Sequence, residues 1–452
     1  MAILKINRLK LGANKRYIAY FAIFGFISII TQSAFVRELL IELRGNELSY
    51  MLSLSIWLLS VSLGALLKKR GISEKNLIIL FIGYGLLIML FFIFTPLVIS
   101  RFTSVPDVII QASKLLTIIF VLIFPVSFLN GFVFTSVLYA NDCKFTLRQA
   151  YIFESLGIFA GGIAFFLLGL SFENIVIIFL GVAFLYFILF LVNFKFIILI
   201  LMGLLILSYP LFNRLYWENY QRLFSENDVF NSYNSEYGRF DVVVRDDQEN
   251  YFWNGKYFAN SEKSIYCDEI VKFVLLQKEK FEDILVVGGR LNGVIDKINT
   301  NTKSCYIDYV ELDPNILNYR PLKYKNVQLI NADPVEIVNE INTDYDLIFI
   351  DVPEPVSLQL NRFYTLRFIE SLDRILAKDG VLALTLSNGV NYSSEEDLAL
   401  NSILSETLQR VFAEVKVIPA EKNIFLSSYS SMITNDMEEL IRRYRESNFK
   451  KG

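Results

Sequence analysis

An α-helical multi-pass membrane domain, followed by a doubly wound α/β domain with a small β-hairpin lid at its head, is the fold class this sequence predicts. Three observations carry it. The 452-residue chain is 54% hydrophobic, and the apolar excess lies before residue 212 while the charges crowd after it. Seven stretches before that point each approach the ~20 apolar residues that cross a hydrocarbon layer. Beyond Asp283, strand-like apolar runs alternate with helical segments, the order of a parallel sheet covered on both faces. The expected domains are 1–212 (about seven spans), 213–233 (interfacial linker), 234–262 (lid) and 263–452 (α/β domain).

The N-terminal tail carries Lys5, Arg8, Lys10, Lys15 and Arg16 and is followed by no small-residue cleavage site, so it reads as the flank of an uncleaved first helix. The spans fall at about 17–36, 49–67, 76–100, 115–139, 149–171, 174–193 and 196–212, the last two being alternatively a re-entrant pair around Asn193-Phe194-Lys195. Lys68-Lys69-Arg70, Lys75, Lys144, Arg148 and Lys195 fall on the same side as the basic tail, which places the N-terminus in the cytoplasm of a cell-membrane protein. Seven spans then put the α/β domain outside, whereas a cytosolic ligand calls for it inside, and both placements stand. Gly157 and Gly161-Gly162 form a small-residue face for close helix packing, Asn130 reads as an interhelical hydrogen-bonding group, and Pro125 as a kink. Glu154 reads first as an interfacial or paired carboxylate and second as a transport group.

After Phe212 an aromatic and basic mixture, Asn213 to Trp217, suits a membrane interface. Arg239 to Val244 and Asn250 to Trp253 alternate as strands, and Asn254-Gly255 signals a hairpin. Ile265 to Gln277 is helical in period. Strands are expected at Ile284–Val287, Tyr306–Val310, Val327–Ile330, Asp346–Ile350, Gly380–Leu384, Val415–Ile418 and Ile424–Ser428. Helices are expected at Thr365–Leu376 and Ser394–Val411, with a charged, solvated surface helix over Asn435–Lys451.

Ligands of an open α/β sheet sit at the carboxyl ends of its strands. There the sequence places Gly288-Gly289 and Gly293, then Glu311, then Asp333, then Asp351 with Glu354. A glycine turn followed about 20 residues later by a strand-end acid is the pattern of a nucleotide-binding βαβ half. Glu311 can accept hydrogen bonds from both ribose hydroxyls, Asp333 from an adenine amine, and Asp351 lies where a reacting group would sit. The acidic lining favours a cationic ligand. A net charge of −3 argues against nucleic acid, three scattered cysteines indicate neither disulfide framework nor metal cluster, and the lack of histidine removes the commonest general base.

From about Ser235 to Ser428 these residues resemble the polyamine aminopropyltransferases, the spermidine synthase family, and specifically its membrane-fused bacterial branch; Tyr151 to Gly162 also looks like that branch's spans. The most specific stretch is Asp351-Val-Pro-Glu-Pro with Asn361-Arg-Phe-Tyr-Thr365. The resemblance implies a Rossmann-like sheet of the S-adenosylmethionine-dependent methyltransferase type. It implies decarboxylated S-adenosylmethionine or S-adenosylmethionine as co-substrate, no metal, an amine acceptor and a homodimer. By the same resemblance Asp351 takes the proton from the attacking amine with Tyr364 beside it, Glu311 is the ribose acid, Asp333 the adenine contact, and Tyr237, Tyr266, Asp268 and Glu354 bind the amine.

The sequence also departs from that pattern. The family's glycine-glycine-glycine-aspartate-glycine-glycine loop is here Gly288-Gly289-Arg290-Leu291-Asn292-Gly293. Lys263 stands where the gate motif has an acid, and Gly238 replaces the glutamine beside Tyr237. Three readings follow: an aminopropyltransferase-type enzyme, a methyltransferase or other S-adenosylmethionine-consuming enzyme on the same scaffold, and a membrane binding or structural protein whose nucleotide domain has lost catalysis.

Overall fold

The computed structural model describes residues 13–43, 47–67, 71–102, 110–224, 229–245, 247–261, 265–302, 305–319, 322, 324–387, 395–420, 422–447 and 449. The chain divides into two compact units, one running through Val243 with Trp253–Tyr257, the other comprising Val244–Phe252 and Phe258 onward.

The first unit holds α1 (Ala13–Glu42), α2 (Glu47–Leu66), α3 (Glu74–Phe102), α4 (Ala112–Leu138), α5 (Leu147–Gly169), α6 (Asn174–Asn193) and α7 (Phe196–Gln221), all long and apolar enough to cross a membrane. The last pair forms two separate helices. Phe194 adopts a left-handed conformation (φ 50°) that ends α6, and α7 then runs for 26 residues. The expected linker is corrected at its start. Residues up to Gln221 are helical, with Tyr216, Asn219 and Tyr220 buried at the i, i+3, i+4 spacing of one helix face.

Backbone contact between helices is set by glycine. A Cβ on Gly157 would lie 1.9 Å from the Ala22 carbonyl oxygen and one on Gly25 2.1 Å from that of Glu154, so α1 and α5 touch through their main chains. Gly161 faces Phe26 in the same way, whereas Gly162 meets nothing within 4 Å. Gly64 and Gly131 do the same for α2 and α4. Asn130 donates to Ser28 Oγ at 2.7 Å and to the Tyr84 hydroxyl at 2.8 Å, which makes it the interhelical group expected; Pro125 is carried inside α4.

The first unit also seals an ion cluster. Arg239 donates to both oxygens of Glu38 at 2.9 and 3.1 Å, Asn174 adds a bond at 2.7 Å and Tyr216 a fourth, and both Arg239 and Glu38 have zero exposure. The Arg239 guanidinium lies 4.8 Å from the Tyr220 ring centroid. Gly238 is required here because any side chain would strike Asn254, whose Oδ1 accepts from the Arg239 amide at 2.9 Å.

The predicted two-stranded lid is a four-stranded sheet, β1 (Val229–Asn234), β2 (Arg239–Arg245), β3 (Gln248–Trp253) and β4 (Lys256–Asn260), paired in chain order, and the division between the units passes through it. Asn254 and Gly255 both have positive φ, 49° and 72°, as a tight hairpin turn demands.

The second unit is built on a seven-stranded sheet of order β10-β11-β9-β8-β5-β6-β7. After α8 (Ile265–Leu275) come β5 (Asp283–Gly288), α9 (Val294–Asn301), β6 (Tyr306–Glu311), α10 (Pro314–Asn318), β7 (Val327–Asn331) and α11 (Pro334–Ile337). Then follow β8 (Tyr345–Asp351), α12 (Leu358–Asn361), α13 (Leu366–Asp373), β9 (Leu376–Ser387), α14 (Glu395–Gln409), β10 (Glu414–Ile418), β11 (Lys422–Ser428) and α15 (Met437–Glu446). β7, β6, β5, β8 and β9 are parallel; β11 and β10 are added antiparallel. Buried runs such as Ile284–Val287 and Leu347–Ile350 are apolar throughout because helices cover both faces. The helix expected to Leu376 stops at Asp373, because Leu376 is already paired with Tyr345 as the start of β9. The terminal helix is more than a solvated surface element: Leu440 is buried, and Arg443 donates to the carbonyls of Leu276 and Gln277 just past α8.

Candidate functional site

The strand order reverses between β5 and β8, so their carboxyl ends frame the crevice where an open sheet binds ligands. Gly288 is paired in register with Asp351 across that boundary. Gly288 and Gly289 have φ of 71° and 68°, and added Cβ atoms would lie 2.4 Å from the Asp351 carbonyl oxygen and 2.9 Å from the Asp351 carboxylate respectively. The two glycines are thus demanded by the approach of Asp351 itself. Gly293 (φ 88°) faces open space and starts α9.

Asp351 has three side-chain partners. Oδ1 accepts from Thr385 Oγ1 at 2.7 Å and from Lys422 Nζ at 3.0 Å, and Oδ2 accepts from Asn292 Nδ2 at 2.8 Å. Burial opposes its ionisation, but Lys422 together with the Asn292 and Thr385 bonds outweighs that and holds the carboxyl below the usual range. Three adjacent strands therefore converge here: β8 sends Asp351, β9 Thr385 and β11 Lys422. Burial next to the Asp351 and Glu354 charges pushes the Tyr364 phenol up, and its hydroxyl donates to the Val352 and Pro353 carbonyls at 3.3 and 3.2 Å. Glu354 is half-buried and lies within electrostatic range of both Tyr364 and Lys422.

Glu311 follows the next strand. Its Oε2 accepts from the Tyr309 hydroxyl at 2.7 Å and Oε1 from the Asp313 amide at 3.2 Å. One lone pair on each oxygen is left for a diol. Burial raises the carboxyl to about 7, against the hydrogen bonds. Asp333 is otherwise employed: Oδ1 caps α11 through the Val335 amide at 2.9 Å, and Oδ2 pairs with Arg362. The cap and the ion pair take one lone pair from each oxygen.

Among the residues expected to bind an amine, Asp268 is bridged to Lys272 at 2.6 Å and Lys297 at 3.2 Å. The Tyr266 side chain and Lys263 lie outside the described residues. Tyr237 sits in the bend between β1 and β2, in the first unit, with its amide on Ser235 Oγ at 3.2 Å. In the altered loop, Arg290 turns into the protein, buried with Nη1 on the Ile316 carbonyl at 3.0 Å. Among the described residues no group of three or more His, Cys, Asp or Glu is placed to hold a metal ion.

Sequence reasoning did not single out Thr385, Lys422 or a bond from Asn292. Lys422 carried a signal: an antiparallel strand added after β9 begins at the carboxyl edge of the parallel strands, so its first residue falls at the site.

Residues 263–439 match the family described as "Spermine/spermidine synthase domain". This region is similar to that domain family. Curated relatives of this synthase domain include the polyamine aminopropyltransferase of Leptospira interrogans, serogroup Icterohaemorrhagiae serovar copenhageni, 24% identical over 198 residues, which are 41% of this chain and 40% of that one. That of Sulfolobus acidocaldarius is 22% identical over 186 residues, 39% of this chain and 61% of that one. The chain thus spans less than two thirds of these relatives. Among solved structures, spermidine synthase from Thermotoga maritima aligns with TM-score 0.42 and 16% identity, covering 50% of this chain and 80% of that one. Human methyltransferase-like protein 13 in complex with SAH aligns at 0.32 and 21%, covering 40% and 86%.

Proposed function

We propose that this protein is a membrane-anchored transferase of the aminopropyltransferase type, moving an alkyl group from a nucleoside sulfonium, decarboxylated S-adenosylmethionine or a relative, to an amine nitrogen. The observation that carries the reading is the pairing of Gly288 with Asp351 at the strand-order switch, with Glu311 at the next strand end. The amine lone pair attacks the carbon beside sulfur, the C–N bond forms as the C–S bond breaks, the neutral thioether leaves, and the nitrogen releases one proton. Asp351 is the acceptor for that proton. Held low by Lys422, it stays ionised across the neutral range and orients the amine by accepting its N–H. Glu311, half-buried and titrating near 7, takes the ribose diol in its charged form.

Membrane residence rests on the seven apolar helices and on outward-facing side chains such as Phe159, Phe196 and Leu207, exposed by 69%, 72% and 79%. The basic N-terminal flank supports a cytoplasmic N-terminus in the cell membrane. A reporter fused after Lys451 then reads the side of the synthase domain: an external reading means that a cytosolic sulfonium cannot be its substrate.

The test of the reaction is calorimetry of the full chain with S-adenosylmethionine, its decarboxylated form and the thioether products. Binding of the decarboxylated sulfonium is expected. Absence of binding for every one of them at millimolar concentration removes the transferase reading in favour of a protein that has kept the fold alone. Asp351→Asn should retain sulfonium binding and lose at least ~100-fold in turnover, the scale of one acid–base group. Transfer of a methyl group in place of the longer chain would establish the methyltransferase alternative.

A further inference from the structure

Lys422 brings a positive charge to the place where an amine-transferring site needs a negative one. Its ammonium lies 3.0 Å from Asp351 Oδ1 and within electrostatic range of Glu354, with its side chain 35% exposed and so in reach of an incoming molecule. The same neutralisation recurs at Asp268, which is bridged by Lys272 and Lys297. Cys267, next to Asp268 in α8, lies within electrostatic range of Asp351, Lys297 and Lys422. Asp268 is thus paired with Lys272 and Lys297, and Asp351 with Lys422. A diamine needs a net negative lining for its second ammonium, and among the described residues Asp351 and Asp268 are each already paired with lysine. An acceptor carrying one amine and one carboxylate matches this arrangement: the amine faces Asp351, and the carboxylate pairs with Lys422.

We propose that Lys422 is a specificity-determining residue that turns the site from a diamine to a zwitterionic acceptor, an amino acid whose amine is separated from its carboxylate by a short alkyl chain. The inference rests on the transferase reading above. Lys422 acts by a charge contact to the acceptor and by repulsion of a second ammonium, and specificity is the difference between those two free energies. No covalent change in Lys422 is involved.

The experiment follows thioether release from decarboxylated S-adenosylmethionine by the full chain in detergent, with putrescine and γ-aminobutyrate as acceptors of matched length. The wild-type protein should favour γ-aminobutyrate by roughly tenfold or more in kcat/KM. Lys422→Met should erase or reverse that ratio, chiefly by raising KM for γ-aminobutyrate, and Lys422→Arg should preserve it. Circular dichroism and melting in detergent check that both variants are folded. A wild-type preference for putrescine, or a ratio that Lys422→Met leaves unmoved, overturns the inference and leaves the transferase reading standing. Sulfonium binding with turnover of neither acceptor also overturns it, whereas loss of sulfonium binding in the wild-type protein overturns both.

Discussion

Glu38 and Asp351 are both buried carboxylates gripped by a basic side chain from a β-strand far away in sequence, Arg239 of β2 in one unit and Lys422 of β11 in the other. The Glu38 cluster is closed. Neither partner has any exposure, two tyrosine or asparagine groups fill the remaining acceptor positions, and an aromatic ring covers the guanidinium. The Asp351 cluster is open on one side, because Lys422 keeps a third of its side chain in contact with solvent. An ion pair sealed on every side fixes elements in place; one with an accessible member at a strand-order switch can exchange that member for a ligand.

The largest effect that would break this contrast is expected at Arg239. Arg239→Ala leaves Glu38 charged and unpaired in a sealed site, and should cost about 3–5 kcal/mol, read as a loss of folded protein in detergent melts. Arg239→Leu combined with Glu38→Leu should recover most of it; a single variant that costs under ~1 kcal/mol would show that the cluster is wet. Gly289→Ala comes next. With φ at 68° and the Asp351 carboxylate 2.9 Å from the new Cβ, a destabilisation of about 1–3 kcal/mol is expected together with weaker sulfonium binding. A neutral result in both measurements would mean that the turn rebuilds freely.

Asp351→Asn should be milder for stability than either, about 1 kcal/mol or less, since Lys422 can turn to water. A cost matching that of Arg239→Ala would place Asp351 in the structural class with Glu38. The smallest effect is the pH response of Glu311. Its folded value of about 7 lies above the ordinary 4.5, so the folded state binds more protons between those limits and stability falls as pH rises through that window. Glu311→Gln should flatten this slope in unfolding midpoints, and an unchanged slope would assign it to another group. Sulfonium binding should move the opposite way, strengthening above pH 7 as the carboxylate becomes able to accept both ribose hydroxyls.

The parallel sheet was legible because its central strands, β5 and β8, are short buried runs of mostly apolar residues, and because glycine and acids punctuate the strand ends. Asp-Pro occurs at 313–314 and 333–334, and in each case the aspartate caps a helix whose first residue is proline. The same capping role, together with Arg362, occupies both oxygens of Asp333. Other features rest on partners with no sequence proximity. Arg239 meets Glu38 across 201 positions and Lys422 meets Asp351 across 71, and no periodicity encodes such pairings. The end of α7 was hidden for a different reason, since Tyr216, Asn219 and Tyr220 read as interfacial by composition while their spacing was still helical.

The register pair between Gly288 and Asp351 has a mechanical consequence. As adjoining rungs of one parallel ladder, the turn and the carboxylate travel together when the sheet flexes, so their separation is among the stiffest lengths in the domain. Lys422 reaches the same point from β11, on the far side of β9. A change on that outer strand can retune the charge of the crevice without moving its floor, which makes the antiparallel edge the place where the choice of acceptor can drift while the chemistry stays anchored.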